Sequence, residues 1–532
     1  MRSSGQVLCL FLLAVGSSYS TARATISFSG DTQVGSSFNV GYTGYGTFRI
    51  DGGSVYTTQS GNVTLGYLST GVGMATVTGA GSQWQFSNSS GIAVGGTGIG
   101  RLEVLNGGAI TFTQSFGGID IVANSSSSAQ GTVVVDGAGS LIVSNSLDVG
   151  PNSSNAGSAL LRISNGGMVS AGQLTVSHSG RVELADGTLR SSQFYTNYGD
   201  ISGSGELGIL STSSFTNSGR LAALNGTLRL TGQTGSLLNN GVISVDAANL
   251  EINRYVTNMP IGNNAAEITL RNGSLHVGNG SQPGQLSNSA VLAAIGGTND
   301  LYGTLTNNEG GRVAVTNHSV MVFHDDVLAD GGVIAVYPGS TAIFLEDLTI
   351  NGTATFLANI AGTNDNTGFG TAEVVGTAQL AGNVQVSLGS GFVPQAGDSF
   401  QLLAAGSVVG SLGLGDMPSL PSGLKWDLDT EPNRVLLSVV PGLAGDYNGN
   451  SVVDAADSVV WRKTLGQTGS DLAADGDNNG NVDTADYDFW RGRFGNSLGA
   501  SAAGAGAVPE PNVLPLLLLA FGVVAAKRSA TG

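Results

Sequence analysis

The sequence predicts a mainly β chain: a parallel β-solenoid (β-helix) followed by a small α-helical module and a C-terminal apolar helix. Three observations carry this expectation. A strand-turn-strand phrase recurs about every 28 residues, 84 glycines punctuate runs of Val, Ile, Leu and Thr, and a 12-residue acidic loop occurs twice, 29 residues apart. A chain of 532 residues is too long for one ordinary core unless it is a repeat array. Charged residues are only 11% of it, against roughly 25% in an average soluble domain, so Ser, Thr, Asn and Gly must supply solubility. An apolar fraction of 41% argues against disorder.

The first element is the leader. Arg2 precedes an apolar run from Val7 to Val15, and Ala22-Arg23-Ala24 follows as a small-x-small cleavage signal. Residues 1–24 read as a signal peptide, with the mature chain starting at Thr25. This predicts secretion across the inner membrane to the cell surface, outer envelope or extracellular matrix. Cys9 is the sole cysteine and lies within the leader, where Gln6-Val7-Leu8 ahead of it is not a lipoprotein pattern. A cysteine-free exported chain must be held together by core burial or by metal. The net charge of -17, with 20 scattered Lys and Arg, argues against nucleic acid as a partner and suits a calcium user.

The solenoid follows, over residues 25–375. Its phrase is clearest as Thr47-Phe48-Arg49-Ile50-Asp51-Gly52-Gly53, Arg101-Leu102-Glu103-Val104-Leu105-Asn106-Gly107 and Leu161-Arg162-Ile163-Ser164-Asn165-Gly166. The marker glycines Gly52, Gly79, Gly107, Gly137 and Gly166 are 27, 28, 30 and 29 residues apart. Period-2 strands cannot bury their apolar face alone, so stacking coil on coil is the way to a continuous core. A propeller blade would need roughly 40 residues or more. Asn-Gly and Asp-Gly pairs supply positive φ where each coil turns a corner. Looser versions continue at Asn217-Ser218-Gly219, Asn239-Asn240-Gly241 and Asp330-Gly331-Gly332. In texture and period residues 45–375 resemble the autotransporter-type repeats of exported bacterial surface proteins. Residues 376–441, with prolines at 394, 418, 421, 432 and 441, read as a β-rich cap over the open end.

The acidic duplication lies within residues 442–497. Asp446, Asn448, Asn450, Asp454 and Asp457 occupy positions 1, 3, 5, 9 and 12 of the first loop, and Asp475, Asp477, Asn479, Asp483 and Asp486 those of the second. Calcium wants six to eight oxygens, and a 12-residue loop supplies them with a backbone carbonyl at position 7, here Val452 and Asn481. Two Ca2+ ions are expected, bound more tightly by the second loop. That loop has four aspartates against three, and Gly480 where the first has Ser451. The duplication extends past the loops: Trp461-Arg462 matches Trp490-Arg491, Leu465 matches Phe494 and Gly466 matches Gly495, which predicts an amphipathic helix after each loop with i,i+4 aromatic pairs. The arrangement resembles the type I dockerin, an EF-hand-like duplicated calcium loop-helix module. That resemblance implies a cohesin-like partner. The positions that guide recognition in the family are here Ala455-Ala456 and Thr484-Ala485, unlike the Ser-Thr pairs common in cellulosome dockerins.

A small-residue linker, 498–507, leads to the tail, 508–532. Val508-Pro509-Glu510-Pro511 precedes an apolar run from Val513 to Ala526 and the basic pair Lys527-Arg528. Fourteen helical residues span about 21 Å, short of the roughly 30 Å hydrocarbon core, so transient membrane insertion fits better than a permanent transmembrane helix. The order of motif, apolar helix and basic end resembles the PEP-CTERM sorting signal, which implies an exosortase-type partner.

Catalytic residues are not evident. His324-Asp325-Asp326 reads as a polar loop after a strand, His178, His276 and His318 are isolated, and no nucleophile elbow, zinc motif or phosphate loop occurs. The expected function is a structural or adhesive surface protein with a calcium-dependent docking module. The alternative is a polysaccharide-processing enzyme, a glycosyl hydrolase or lyase on a β-helix scaffold. A strip of charged and aromatic residues along one solenoid face would favour that alternative.

Overall fold

A computed structural model describes residues 24–497 apart from 36, 60, 88–89, 115–116, 123–126, 152–156, 195, 211–213, 233–234, 279–283, 366, 390, 422 and 470–471. The leader up to residue 23, the linker and the tail lie outside the described residues. The described chain divides into two compact units: residues 24–393 with 399–418 and 428–438 form the first, and 394–398, 419–427 and 439–497 the second. Among the described residues there are 44 strands and two helices. None of the helices is long and apolar enough to cross a membrane.

The first unit is a parallel solenoid, as the repeat phrase predicts. Each coil lays three strands on three faces, and each strand pairs in parallel with its counterpart one coil on. On the first face Phe48, Ala75, Leu102, Val133 and Leu161 are successive register partners. The row runs on through Val182, Ile201 and Leu221 to Ile334, Phe356 and Val384. None of these side chains is more than 1% exposed. Alternation along each strand sends the intervening residues outward: Val133 and Val135 are buried and Val134 is not. Stacking like on like gives rows of rings inside, such as Phe323 on Phe344, with centroids 4.7 Å apart and planes 5° from parallel.

Coil length is not constant. Register partners are 27 to 31 residues apart as far as Leu161 and 19 to 25 apart from there to Phe356. The period near 28 therefore describes only the wide coils. The narrow coils use a different corner. Asn197, Asn217, Asn239, Asn258, Asn288 and Asn307 are all 0% exposed. Each of the first five donates from Nδ2 to Oδ1 of the next at 2.7–2.8 Å. Most also donate to carbonyls in the same or the following coil, as Asn217 does to Val242 at 3.1 Å. A buried amide is tolerable only when its hydrogen bonds are made, and a ladder makes them from one coil to the next.

Both ends of the solenoid are covered by antiparallel strands. At the start Thr25–Gly30 pairs antiparallel with Tyr45–Asp51, and Thr32–Val34 with Phe38–Val40. Parallel stacking continues past residue 375, since Ser399–Gly410 lies parallel on Thr371–Leu380. Strand Arg434–Pro441 then pairs antiparallel along Ser399–Gly410. Strand edges left open would template pairing with other chains, and the antiparallel strands cover those of the terminal coils.

Candidate metal centre

The second unit contains the duplicated loops. Helix α1 (Ala455–Thr464) follows the first and α2 (Thr484–Arg491) the second. Each begins with a capping box: Asp454 accepts from the Ala456 N–H while Asp457 accepts from the Asp454 N–H, and Asp483, Ala485 and Asp486 repeat the pattern. Positions 9 and 12 of each loop are thus also the cap and third residue of its exit helix. The helices are shorter than the aromatic spacing predicts. Leu465 and Phe494 lie beyond them and are about half exposed, because the chain leaves helical geometry at Leu465 and after Gly492.

In the second loop Asp475, Asp477 and Asp486 each bring a carboxylate oxygen within 4.8 Å of the others. The loop's own N–H groups aim all three carboxylates, Asp477 accepting from Asn479 at 3.2 Å. Asp475 accepts from Asn479 at 3.0 Å and Gly480 at 2.7 Å, and Asp486 from Gly476 at 2.6 Å. Asp486 is fully buried and Asp475 6% exposed. Three carboxylates held this close repel one another unless a cation or protons intervene. Asn479 turns its own Oδ1 to the Asn481 N–H at 2.9 Å. The donor set is all oxygen, which suits a hard cation.

The first loop copies the scaffold with fewer charges. Asp446 accepts from Asn450 and Ser451, and Asp457 from Asn448 at 3.0 Å. Asn448 and Asn450 accept from Asn450 and Val452 N–H groups at 2.9 Å. Burial, with the nearby Asp457 charge, raises the Asp446 carboxyl above the usual aspartate range. Ser451 sits at φ +68° where Gly480 sits at +82°, so a side chain with Cβ occupies left-handed backbone in the first loop. In the second loop Asn478 takes the other left-handed position, at +57°, where the first has Gly449. Asparagine tolerates that conformation better than serine.

The two halves are stitched to each other, a feature sequence reading missed. Val453 and Gly495 to Asn496 exchange backbone hydrogen bonds, and Val482 does the same with Gly466 and Gln467. Trp461 Nε1 donates to the Asp483 carbonyl at 2.7 Å, and Trp490 Nε1 to the Asp454 carbonyl at 3.0 Å. Each tryptophan therefore supports position 9 of the opposite loop. Tyr447 breaks the symmetry by donating its hydroxyl to the Asp486 carbonyl at 2.8 Å. A Cβ at Gly476, its counterpart, would lie 2.3 Å from that hydroxyl. The matching tryptophans were the available sequence signal. Tyr447, Val453, Ala474, Val482 and Trp490 form the core beneath.

On the solenoid, His324 Nε2 lies 2.8 Å from Asp300 Oδ1 and its ring stacks on Tyr302 at 3.8 Å. Tyr302 in turn stacks on His276 at 4.0 Å. Asp325 accepts from the Gly303 N–H and Asp326 from that of Asp347. His178 stacks on Tyr198, and His318 occupies a left-handed turn at φ +56°. Arg229, Glu251, His276 and Tyr302 are register neighbours on one face. Elsewhere Asp120 and Asp148 are register partners on an outward face, and partial desolvation of the solvent-facing Asp120 side chain, with the Asp148 charge and hydrogen bond, pushes its carboxyl up to about 6.

No family model and no curated protein matches the chain. One similar solved structure is the crystal structure of a TibC-catalyzed hyper-glycosylated TibA fragment. It is 14% identical, with a TM-score of 0.21, over 68% of this chain and 98% of that one. A TM-score this low decides nothing, so the fold rests on the strand register described above.

Proposed function

We propose that this is an exported bacterial cell-surface protein of structural or adhesive kind, whose residues 442–497 form a type I dockerin-like module binding two Ca2+ ions. The observation that carries the calcium reading is the convergence of Asp475, Asp477 and Asp486 oxygens within 4.8 Å, two of them on buried side chains. Val452 and Asn481 would add carbonyls, and Asp446, Asn448, Asn450, Asp454 and Asp457 would serve the first ion, with Asn479 and Asp483 completing the second. The tail's likeness to a PEP-CTERM signal supports an exosortase-type partner and sorting to the surface. The dockerin likeness supports a cohesin-like partner, although Ala455-Ala456 and Thr484-Ala485 depart from the usual recognition pairs. Calorimetric titration with calcium tests the module. Asp486→Ala should remove the tighter of two sites and Asp457→Ala the weaker; a single site, or none, defeats the reading.

The face bearing Arg229, Glu251, His276 and Tyr302 favours a second reading, polysaccharide processing, because it gathers charge, imidazole and aromatic groups in one row. Incubation with acidic and neutral polysaccharides, followed by assay of reducing ends and unsaturated products, separates the two. The structural or adhesive reading predicts no turnover.

A further inference from the structure

We infer that the N-terminal end of the solenoid carries a binding groove for a neutral oligosaccharide, built around Asn39, Tyr42 and Tyr67. This goes beyond the surface reading, which leaves the solenoid without a ligand. The groove encloses about 550 Å³ and is lined by Gln33, Asn39, Tyr42, Asn62, Thr64 and Tyr67 among others. That volume falls within the roughly 300–1,000 Å³ of small-molecule sites.

The coil geometry explains how these groups meet. Gln33 and Asn39 are partners across the antiparallel N-terminal pair, and Asn39 and Thr64 are partners one coil apart. Gly41 and Gly66 turn the chain at φ +69° and +70°, delivering Tyr42 and Tyr67 to the same corner of consecutive coils. Their rings stack at 4.9 Å with planes 10° apart, and Tyr67 remains 41% exposed. Asn39 is only 6% exposed, and its Oδ1 has no hydrogen-bond partner among the described residues. An amide oxygen withdrawn from water without a donor is costly, so it marks a place where a hydroxyl or N–H belongs.

The chemistry of the lining selects the ligand class. None of the described residues that line the groove is charged, and the neighbouring Asp31 carboxylate is engaged by the Thr43 and Gly44 N–H groups, which disfavours anions, cations and uronates. Amides and hydroxyls with a stacked tyrosine pair, of which Tyr67 is exposed, suit sugar hydroxyls and the apolar faces of sugar rings. A metal has no carboxylate, thiolate or imidazole here to bind.

The test uses the full mature chain and a panel of hexaoses of glucose, mannose, galactose and N-acetylglucosamine, with an oligogalacturonate as the acidic comparison. Saturation-transfer NMR should detect at least one neutral oligosaccharide, and calorimetry should give its affinity. Tyr67→Ala and Asn39→Leu should each weaken binding about tenfold or more, whereas Tyr198→Ala, an equally exposed tyrosine elsewhere, should leave it unchanged. Circular dichroism establishes that the variants fold. Tyr67→Ala decides the matter if Asn39→Leu does not, because that ring lies at the surface. Absence of neutral binding, preference for the oligogalacturonate, or binding that survives Tyr67→Ala overturns the assignment.

Discussion

At the scale of single residues, the two loops differ most in backbone strain and charge. Ser451 holds left-handed backbone that costs an L side chain about 1–2 kcal/mol. Replacing Ser451 with glycine should therefore strengthen calcium binding at the first loop by about fivefold, equivalent to about 1 kcal/mol, with the second loop unchanged in the same calorimetric titration. Asp120 makes a different prediction. Its carboxyl, raised to about 6 from 3.8, keeps a proton in the folded chain after an unfolded aspartate has lost it. The folded state then binds more protons than the unfolded one between those values, so stability falls as pH rises through about 6. Thermal unfolding of the Asp120→Asn variant should show a flatter dependence between pH 4 and 7 and a higher Tm than the parent at pH 7.5. An unchanged slope would show that the Asp120 carboxyl is not raised in the folded chain.

At the scale of elements, the Asn ladder is the clearest dependence. Asn239 accepts from Asn217, donates to Asn258 and bonds the carbonyls of Gly241 and Glu267. Leucine of similar size would leave those buried groups unpaired. Asn239→Leu should cost about 3 kcal/mol, read as a lower urea midpoint for the solenoid, while a change at exposed Asn249 costs far less. This ladder shows where sequence reading stops. Gly52, Gly79, Gly107, Gly137 and Gly166 disclose the wide coils because a positive-φ corner needs glycine or asparagine, and that need is local. The narrow coils rest on amides 19 to 30 residues apart that matter only once stacked, and Asn-x-Gly recurs too irregularly to show it. The acidic loops were legible for the opposite reason, since all the side-chain oxygens of one loop lie within 12 residues. The bonds from Trp461 and Trp490 to the opposite loops were not, because they span 22 and 36 residues.

At the scale of the whole molecule, two compact units imply two unfolding events. The solenoid is held by stacked apolar rows and has no use for metal in the proposed reading. Chelation with EGTA should lower the Tm of the second unit by several degrees and leave the first where it was, a shift differential scanning calorimetry resolves. A single transition insensitive to EGTA would refute the calcium reading. Surface ion pairs such as Arg162 with Glu183 and Arg229 with Glu251 are exposed and contribute about 0–1 kcal/mol each. Added salt should therefore move the solenoid's transition little.

The amide column has polarity: every link from Asn197 to Asn307 donates towards the C-terminus. It is closed at both ends by backbone, with the Gly199 N–H feeding Asn197 and Asn307 discharging onto the Val333 carbonyl. Each interior coil receives one bond and passes one on, so any of them is interchangeable with its neighbours as far as the column is concerned. Excising the segment from one asparagine to the next, or copying it, reconnects the same chain of donors and acceptors. The length of this half of the molecule can thus drift by whole coils during descent without a new core having to be invented.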